Sequence, residues 1–300
     1  MRPLHILLAI LTVAVWGLNF VFIKIGLNEL PPLFLCTLRF VFVSIPIVFI
    51  LPKPSVPFKH ILQYGLVTFA LQFAFLFLGM HAGMPAGLSS IVLQVQVFFS
   101  LFLAAFFLKE RLGKLQILGS IVSFTGLGVI WTKVSHDTSW LGFILEIGCA
   151  ASLAVSNLIT KKIGPVNPLS LVGWGCLVAI PPLLLLSLVV EGPAQITVSL
   201  YHITWLSILS VAYTAYISTW FGYGVWSWLI GKYPVSSIIP FTLLVPIFGM
   251  LGSNLVFQEP MQQWKLQATL FIILGLSIHI FGPKILSVYQ RIMNKPLIAS

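Results

Sequence analysis

Charged side chains are scarce in this sequence. Only 7% of its 300 residues are Asp, Glu, Lys or Arg, whereas 59% are hydrophobic and the mean hydropathy is +1.06. A soluble globular protein has about 25% charged residues, because its surface must be hydrated. This chain has too few charges to cover itself with polar groups. The composition therefore excludes a soluble globular protein and predicts an integral membrane protein.

Reactive and metal-binding side chains are also few. The three cysteines, Cys36, Cys149 and Cys176, lie in apolar segments without C-x-x-C spacing, which predicts packed thiols rather than a disulfide framework or a metal site. Six acidic residues offer little for acid–base chemistry, and the H-E-x-x-H, G-x-S-x-G and Walker A patterns are missing from the sequence. We therefore expect no enzyme activity, no metal and no cofactor.

Long apolar segments alternate with short polar joints along the chain. A helix of roughly 20 apolar residues crosses a bilayer, and none of the joints is long enough for a soluble domain. Ten candidate spans follow, at about 4–23, 33–51, 61–80, 86–108, 115–132, 140–160, 169–190, 203–230, 235–257 and 265–283. The first lacks an A-x-A-like cleavage site, so we expect it to be retained. The predicted fold is an all-α membrane protein with ten transmembrane helices.

The basic residues fall mainly on one side of this predicted topology. With a cytoplasmic N-terminus, the cytoplasmic segments hold twelve Lys and Arg residues and the external segments hold three. An excess of Lys and Arg is typical of cytoplasmic loops. We therefore expect both termini in the cytoplasm, and we attribute the net charge of +10 to this orientation rather than to nucleic-acid binding.

The two halves of the chain share landmarks at an offset of 149 residues. The matched pairs are Pro85 with Pro234, Glu110 with Glu259, and Gly126-Leu127 with Gly275-Leu276. Five spans in each half is an odd number, so the halves must insert in opposite orientations. We expect two inverted five-helix repeats, 1–135 and 136–284, followed by a cytoplasmic tail, 285–300. Inverted repeats place a binding site near the midplane and favour alternating access.

Several strings carry a resemblance over nearly the whole chain: "WGLNFVFIKIGL", "LPPLFLCTLRF", "QFAFLF", "GMPAGLSSIVLQVQVFF", "KERL", "GYGVW" and "LLVPIFG". With them the sequence resembles the drug/metabolite transporter superfamily, in its EamA-domain family. The resemblance implies ten helices, cytoplasmic termini in the bacterial inner membrane, and a central cavity lined by spans 1, 3, 4, 6, 8 and 9. It also implies export of small amino-acid-type metabolites such as cysteine and O-acetylserine.

Two asparagines occupy matching places in the first span of each half. Asn19 lies in "WGLNFVFIK", with Trp16 on the same helix face, and Asn157 lies in "AVSNLITKK". A buried amide in a membrane needs a neighbouring helix or a wet cavity. Either the two amides face one cavity and bind a zwitterion, or each holds its own helix to a neighbour. The small neighbours of Asn157 favour the second interpretation for that residue.

Arg39 lies about two turns into the second span. A charge at mid-membrane costs about 2.5–3.5 kcal/mol on insertion scales, so the side chain must face a cavity, a partner or the interface. It could attract a substrate carboxylate, or its long side chain could extend to the lipid headgroups. Its depth favours the second interpretation.

Further polar side chains could line the cavity. Ser90 and Gln94 are four residues apart on one helical face, with Gln96 turned away, and Gln72 is a buried amide of the third span. Tyr223, between two glycines in "GYGVW", is the aromatic candidate. Polar residues in spans also serve as packing contacts between helices, and for Gln72 and Gln96 both roles stay open.

Glu146 is the only carboxylate inside a predicted span, about one and a half turns from its outer end. Transporters driven by protons use such acids, so Glu146 could couple transport to protons. The shallow depth instead favours an acid that reaches the outer interface.

We expect a secondary transporter that exports a small polar metabolite as a monomer or weak dimer. Other solutes on the same fold remain as alternatives, namely aromatic amino acids, nucleobases, drugs or lipids. A site for bulky cations should contain a mid-span Glu, and the first span offers Asn19 instead. A channel would need a charged ring or carbonyl filter, which the sequence does not suggest.

Overall fold

The structure is a computed structural model that describes residues 2–108, 113–137, 139–233 and 238–293, and within these ranges it contains helices and no strands. The helices are α1 (Pro3–Leu27), α2 (Pro32–Ile50), α3 (Phe58–His81), α4 (86–108), α5 (Lys114–Asp137), α6 (Trp140–Ile163), α7 (Pro168–Val190), α8 (Gly192–Tyr201), α9 (205–232), α10 (239–257) and α11 (Gln263–Met293).

Most of these helices are suited to a bilayer. Seven of them, α1, α2, α3, α5, α6, α7 and α11, are long and apolar enough to cross a membrane. The pair α8 and α9, bent by 106°, is an eighth candidate, while α4 and α10 contain shorter apolar helices. The prediction of an all-α membrane protein is confirmed. Each of the ten predicted spans overlaps a helix, but the count of ten transmembrane helices stays a prediction.

Two segments differ from the sequence prediction. The joint predicted at 191–202 forms α8, whose first residue, Gly192, turns the chain at φ 78° and which has a proline in its first turn. The predicted tail 285–300 begins as a continuation of α11, which reaches Met293. Residues 294–300 lie outside the described residues.

Small residues let the helices approach closely. A Cβ on Gly17 of α1 would lie 2.8 Å from the Val245 carbonyl oxygen of α10. Between α5 and α11, a Cβ on Gly126 would lie 2.8 Å from the Ala268 carbonyl oxygen. Helix association in membranes depends on such backbone approach. The glycine landmarks of the sequence thus pack α5 against α11.

Four helices contain a segment that departs from α-helical geometry. Turns of π-helix occur at Leu66–Leu71 in α3 and Tyr213–Phe221 in α9, and turns of 3₁₀-helix occur at Leu93–Val95 in α4 and Ile239–Leu244 in α10. Shifted by the 149-residue offset, the two segments of the first half fall within those of the second. The landmarks Glu110 and Pro234 lie outside the described residues. The π-helical and 3₁₀ segments nevertheless recur in the two halves at the same 149-residue offset that relates these landmarks.

One end of the bundle carries carboxylates that bind helix N-termini, and we call it the carboxylate face. The Glu191 carboxylate accepts hydrogen bonds from the backbone N–H groups of Leu33 and Phe34, at 2.6 and 3.0 Å, at the start of α2. The Glu259 carboxylate accepts from Ala86 N at 3.3 Å, at the start of α4. Negative charge is stabilising at a helix N-terminus, so these contacts tie neighbouring helices together.

Glu29 supplies a third such contact, at the start of α9. Its carboxylate accepts hydrogen bonds from the hydroxyl groups of Thr204 and Ser207, the two members of a capping box. Burial alone would raise the Glu29 pKa, but the hydrogen bonds from Ser207 and Thr204 outweigh it and the pKa is lowered. The contact therefore stabilises the fold at neutral pH, and this stabilisation is lost as the pH falls through the lowered pKa.

We expect Glu29→Gln to lower the melting temperature of the purified protein at pH 7, because the variant keeps an acceptor oxygen but loses the charge. The difference from the parent protein should begin to shrink below about pH 4, the ordinary pKa of Glu in the unfolded chain, and should vanish as the pH falls through the lowered pKa of folded Glu29. Thermal unfolding in detergent across this pH range measures the difference in melting temperature between the two proteins. A difference that stays constant with pH would contradict the assigned contact.

Candidate functional site

A cavity of about 350 Å³ lies at the centre of the helices, within the size range of small-molecule sites. All eight residues predicted to face a cavity line it: Trp16, Asn19, Arg39, Gln72, Ser90, Gln94, Asn157 and Tyr223. Its other lining residues are Phe20, Phe73, Leu76, Leu93, Gln96, Leu153, Ser218, Trp226, Val245 and Thr242. The predicted lining by spans 1, 3, 4, 6, 8 and 9 matches this set, to which α2 adds Arg39.

Arg39 points into the bundle, so the interpretation that it extends to the headgroups is wrong. Its side chain is 3% exposed, and its Nη2 donates a hydrogen bond to Thr219 Oγ1 at 3.2 Å. The guanidinium carbon lies 4.4 Å from the centroid of the Phe73 ring, a distance at which cation–π attraction operates. The Nε and Nη1 groups are buried without a hydrogen-bond partner. Two donors of a charged group are thus left for whatever occupies the cavity.

Two amide oxygens in the cavity wall also have no hydrogen-bond partner among the described residues. Asn19 is 7% exposed and Gln72 is 5% exposed, and Oδ1 of the first and Oε1 of the second are buried with no hydrogen bond. Gln72 directly follows the π-helical turn Leu66–Leu71 of α3. Of the two interpretations offered for Asn19, the position in the cavity wall is the one observed, since its oxygen makes no bond to a neighbouring helix.

Asn157 lies at an exposed part of the wall and also joins two helices. Its Nδ2 donates to Gln96 Oε1 at 3.0 Å and to Ser100 Oγ at 3.1 Å, both in α4. Asn157 therefore lines the cavity and also holds its own helix to α4.

Gln96 faces the cavity, so the prediction that it turns away from Ser90 and Gln94 is wrong. The 3₁₀ turn Leu93–Val95 has about 3.0 residues per turn rather than 3.6, and it rotates the following residues about the helix axis. Within the same turn, Gln94 Nε2 donates to the Thr242 carbonyl oxygen at 2.9 Å. The two 3₁₀ segments of α4 and α10 thus meet at the cavity.

Aromatic rings form one wall. The indole Nε1 of Trp16 donates to the Ser218 carbonyl oxygen at 3.1 Å, and its ring centroid lies 5.8 Å from that of Tyr223 and 5.0 Å from that of Trp226. Ser218 belongs to the π-helical segment of α9, where the wider hydrogen-bond spacing changes which carbonyl groups reach other partners. The Arg39 partner Thr219 lies in the same segment.

The two ends of the cavity differ in how tightly they are packed. Toward the carboxylate face, Met80, Met84 and Leu88 are fully packed, with exposed fractions of 1% or less. At the other end of the cavity Asn157 is exposed and Gln96 is half-buried. Among the described residues, the cavity wall is therefore more exposed at the end opposite the carboxylate face.

Glu146 lies outside the cavity and is completely buried, so the interpretation that it reaches the outer interface is wrong. Its Oε1 contacts Ser89 Oγ at 2.7 Å. Glu146 is buried because α3 and α4 both pack over this part of α6.

The three cysteines, Cys36, Cys149 and Cys176, are buried free thiols, as predicted.

Comparison with known proteins decides the family. The model of the EamA-like transporter family matches residues 3–132 and 140–281, which is most of the chain. The chain belongs to the EamA-like transporter family. Membership makes it a transporter of the drug/metabolite superfamily, as the sequence resemblance implied.

Relatives and a solved structure extend this result. A protein of Salmonella typhimurium named "Probable amino-acid metabolite efflux pump" is 41% identical over 281 residues, covering 92% of this chain and 94% of that protein. Its Escherichia coli counterpart of the same name is 40% identical over the same length and coverage. A solved crystal structure shares the fold with a TM-score of 0.63 at 15% identity, covering 95% of this chain and 99% of the other.

The exposure of Asn157 can be tested by labelling, because the three native cysteines are buried and should react slowly. We expect Asn157→Cys to react with a hydrophilic thiol reagent at least about tenfold faster than the matched control Ala154→Cys, whose position on the same helix is fully buried. Equal reactivity of the two variants would contradict the exposed cavity wall described here.

Proposed function

We propose that this protein is a secondary transporter that exports small amino-acid-type metabolites, of the cysteine and O-acetylserine kind, by alternating access. One observation carries the proposal: the unpaired N–H groups of Arg39 and the unpaired oxygens of Asn19 and Gln72 line the same cavity. The unpaired hydrogen-bond donors and acceptors of this cavity match the carboxylate and the ammonium group of a zwitterion.

The charge of each group decides which end it binds. The Nε and Nη1 groups of a guanidinium form a fork that fits the two oxygens of a carboxylate, so Arg39 binds the substrate carboxylate. The oxygens of Asn19 and Gln72 accept from the substrate ammonium. Among the residues that the structure describes, no carboxylate lines the cavity, so a solute with a net positive charge would meet an uncompensated Arg39. This supports a zwitterionic or neutral substrate over a cationic drug.

The names of the relatives also support an amino-acid-type substrate, because two proteins about 40% identical to this chain are named amino-acid metabolite efflux pumps.

The aromatic wall suggests a second substrate class. Its three rings, Trp16, Tyr223 and Trp226, could instead stack on an aromatic amino acid or a nucleobase. That alternative is the second candidate.

Alternating access follows from the proposed inverted repeats, 1–135 and 136–284. The recurrence of π and 3₁₀ segments at the 149-residue offset supports the repeat. In the topology predicted from the basic residues, the carboxylate face is external and both termini are cytoplasmic, in the bacterial inner membrane. The described state would then admit substrate from the cytoplasm, the side from which an exporter loads. We propose a monomer or weak dimer.

The substrate proposal is tested by counterflow in proteoliposomes. We expect labelled cysteine and O-acetylserine to exchange, and Arg39→Gln to lower the exchange rate about 10- to 100-fold, since it removes a charge-assisted hydrogen-bond pair. Asn19→Leu should lower exchange by about tenfold by the loss of one acceptor.

The matched control for Asn19→Leu is Asn28→Leu, because Asn28 is exposed and lies just beyond the end of the same helix. It should exchange substrate at the parental rate. Parental rates in both Arg39→Gln and Asn19→Leu would refute the assigned binding groups. Exchange of aromatic amino acids or nucleobases in place of cysteine would favour the second candidate.

A further inference from the structure

A second polar site lies behind the wall of the cavity, toward the carboxylate face. The Glu146 side chain of α6 is 0% exposed, its Oε1 lies 2.7 Å from Ser89 Oγ of α4, and its Oε2 is buried without a partner. Ser89 is followed directly by Ser90, which lines the cavity. One residue of α4 therefore separates this carboxyl group from the substrate chamber.

In the described part of the chain, no positive charge compensates this carboxyl group. The titratable side chains of α3 are Lys59, His60, Tyr64 and His81, and the one nearest to Glu146 along that helix is His81, at its exposed end. From α4, the contact is the neutral hydroxyl of Ser89, and the N-terminus of that helix is bound by Glu259. From α6 itself the nearest titratable group is the buried thiol of Cys149. Within the described residues, no Lys, Arg or His contacts Glu146. Burial of an ionised carboxylate with one hydroxyl contact costs several kcal/mol, and this cost favours the neutral carboxyl group.

Backbone contact between α3 and α6 closes the site. A Cβ on Gly142 would lie 2.8 Å from the Gly79 carbonyl oxygen, and one on Gly79 would lie 3.3 Å from Glu146 Cγ. Met84 packs on the same glycine, 3.2 Å from a Cβ at Gly142. The helices that surround the carboxyl group therefore approach each other closely on this side. If α3 and α4 move away from α6 when the carboxylate face opens, water reaches Glu146.

We propose that the Glu146–Ser89 pair is a proton-binding site that couples export to a proton gradient. In the cycle, Glu146 is ionised when the junction of α3, α4 and α6 is open to the outside, and it takes up a proton from external water. The neutral carboxyl group allows the junction to close. The proton leaves toward the cavity past Ser90, so one proton enters as one solute molecule leaves. This inference rests on the export direction and topology of the proposed function.

The first test measures the proton itself and needs no substrate. Infrared difference spectra of the purified protein should show the band of a protonated, buried carboxyl group at pH 7, and Glu146→Gln should abolish it. A spectrum without this band, or one unchanged in Glu146→Gln, would overturn the proposal whether or not the protein exchanges amino acids.

The second test measures coupling in proteoliposomes that contain a pH-sensitive dye. A pH gradient, acidic on the external side, should drive several-fold accumulation of labelled cysteine against its gradient, with proton movement in the opposite direction. Glu146→Gln should lose this accumulation and keep counterflow at equal pH, because the amide resembles the neutral acid in shape. Retained counterflow also shows that the variant is folded.

The matched control is Glu191→Gln, since Glu191 binds a helix N-terminus outside the junction; it should keep the pH-driven accumulation. Accumulation in Glu146→Gln equal to that of the parent, or no accumulation in the parent despite counterflow, would refute proton coupling and leave the export proposal intact. Absent counterflow in the parent would instead refute the proposed substrate.

Discussion

The rest of the site depends on one constraint: the Arg39 guanidinium group is buried among membrane helices, and no carboxylate of the described residues lies beside it. Removing such a charge from water costs several kcal/mol unless polar contacts replace the lost hydration. For Arg39 the Thr219 hydroxyl and the face of Phe73 replace a part of it. The remaining N–H groups require a chamber that holds water or a substrate, and the amides of Asn19 and Gln72 lie in its wall for the same reason.

Irregular helix geometry shapes that chamber. The π-helical segment of α9 contains both Ser218, which binds the Trp16 indole, and Thr219, which binds Arg39. The 3₁₀ turn of α4 directs Gln94 to the Thr242 carbonyl oxygen in the 3₁₀ segment of α10. In a regular α-helix the backbone carbonyl groups bind backbone N–H groups of the same helix. The π-helical and 3₁₀ segments depart from this pattern, and they therefore supply the cavity with carbonyl groups and reoriented side chains. They are also the points at which the helices can bend.

The sequence was sufficient for the helical class and the family, and for many of the residues that line the cavity. Asn19, Gln72 and Gln94 were found because an amide in an apolar helix needs a polar neighbour, and this rule requires no tertiary information. The orientation of Gln96 was not predictable, because it depends on a 3₁₀ turn stabilised by contacts with another helix. The direction of Arg39 depends on Thr219, 180 residues away. Glu146 was misplaced because depth along a span says nothing about the helices packed over it.

The central claim is that the unpaired groups of the cavity hold the two ends of a zwitterion. An experimentally determined structure of the protein with a bound amino acid tests it most directly. The account predicts the substrate carboxylate within hydrogen-bond distance of Arg39 Nε and Nη1, and the ammonium beside the oxygens of Asn19 and Gln72. A chamber closed by apolar side chains, with Arg39 paired to a protein carboxylate and the ligand bound elsewhere, would contradict it.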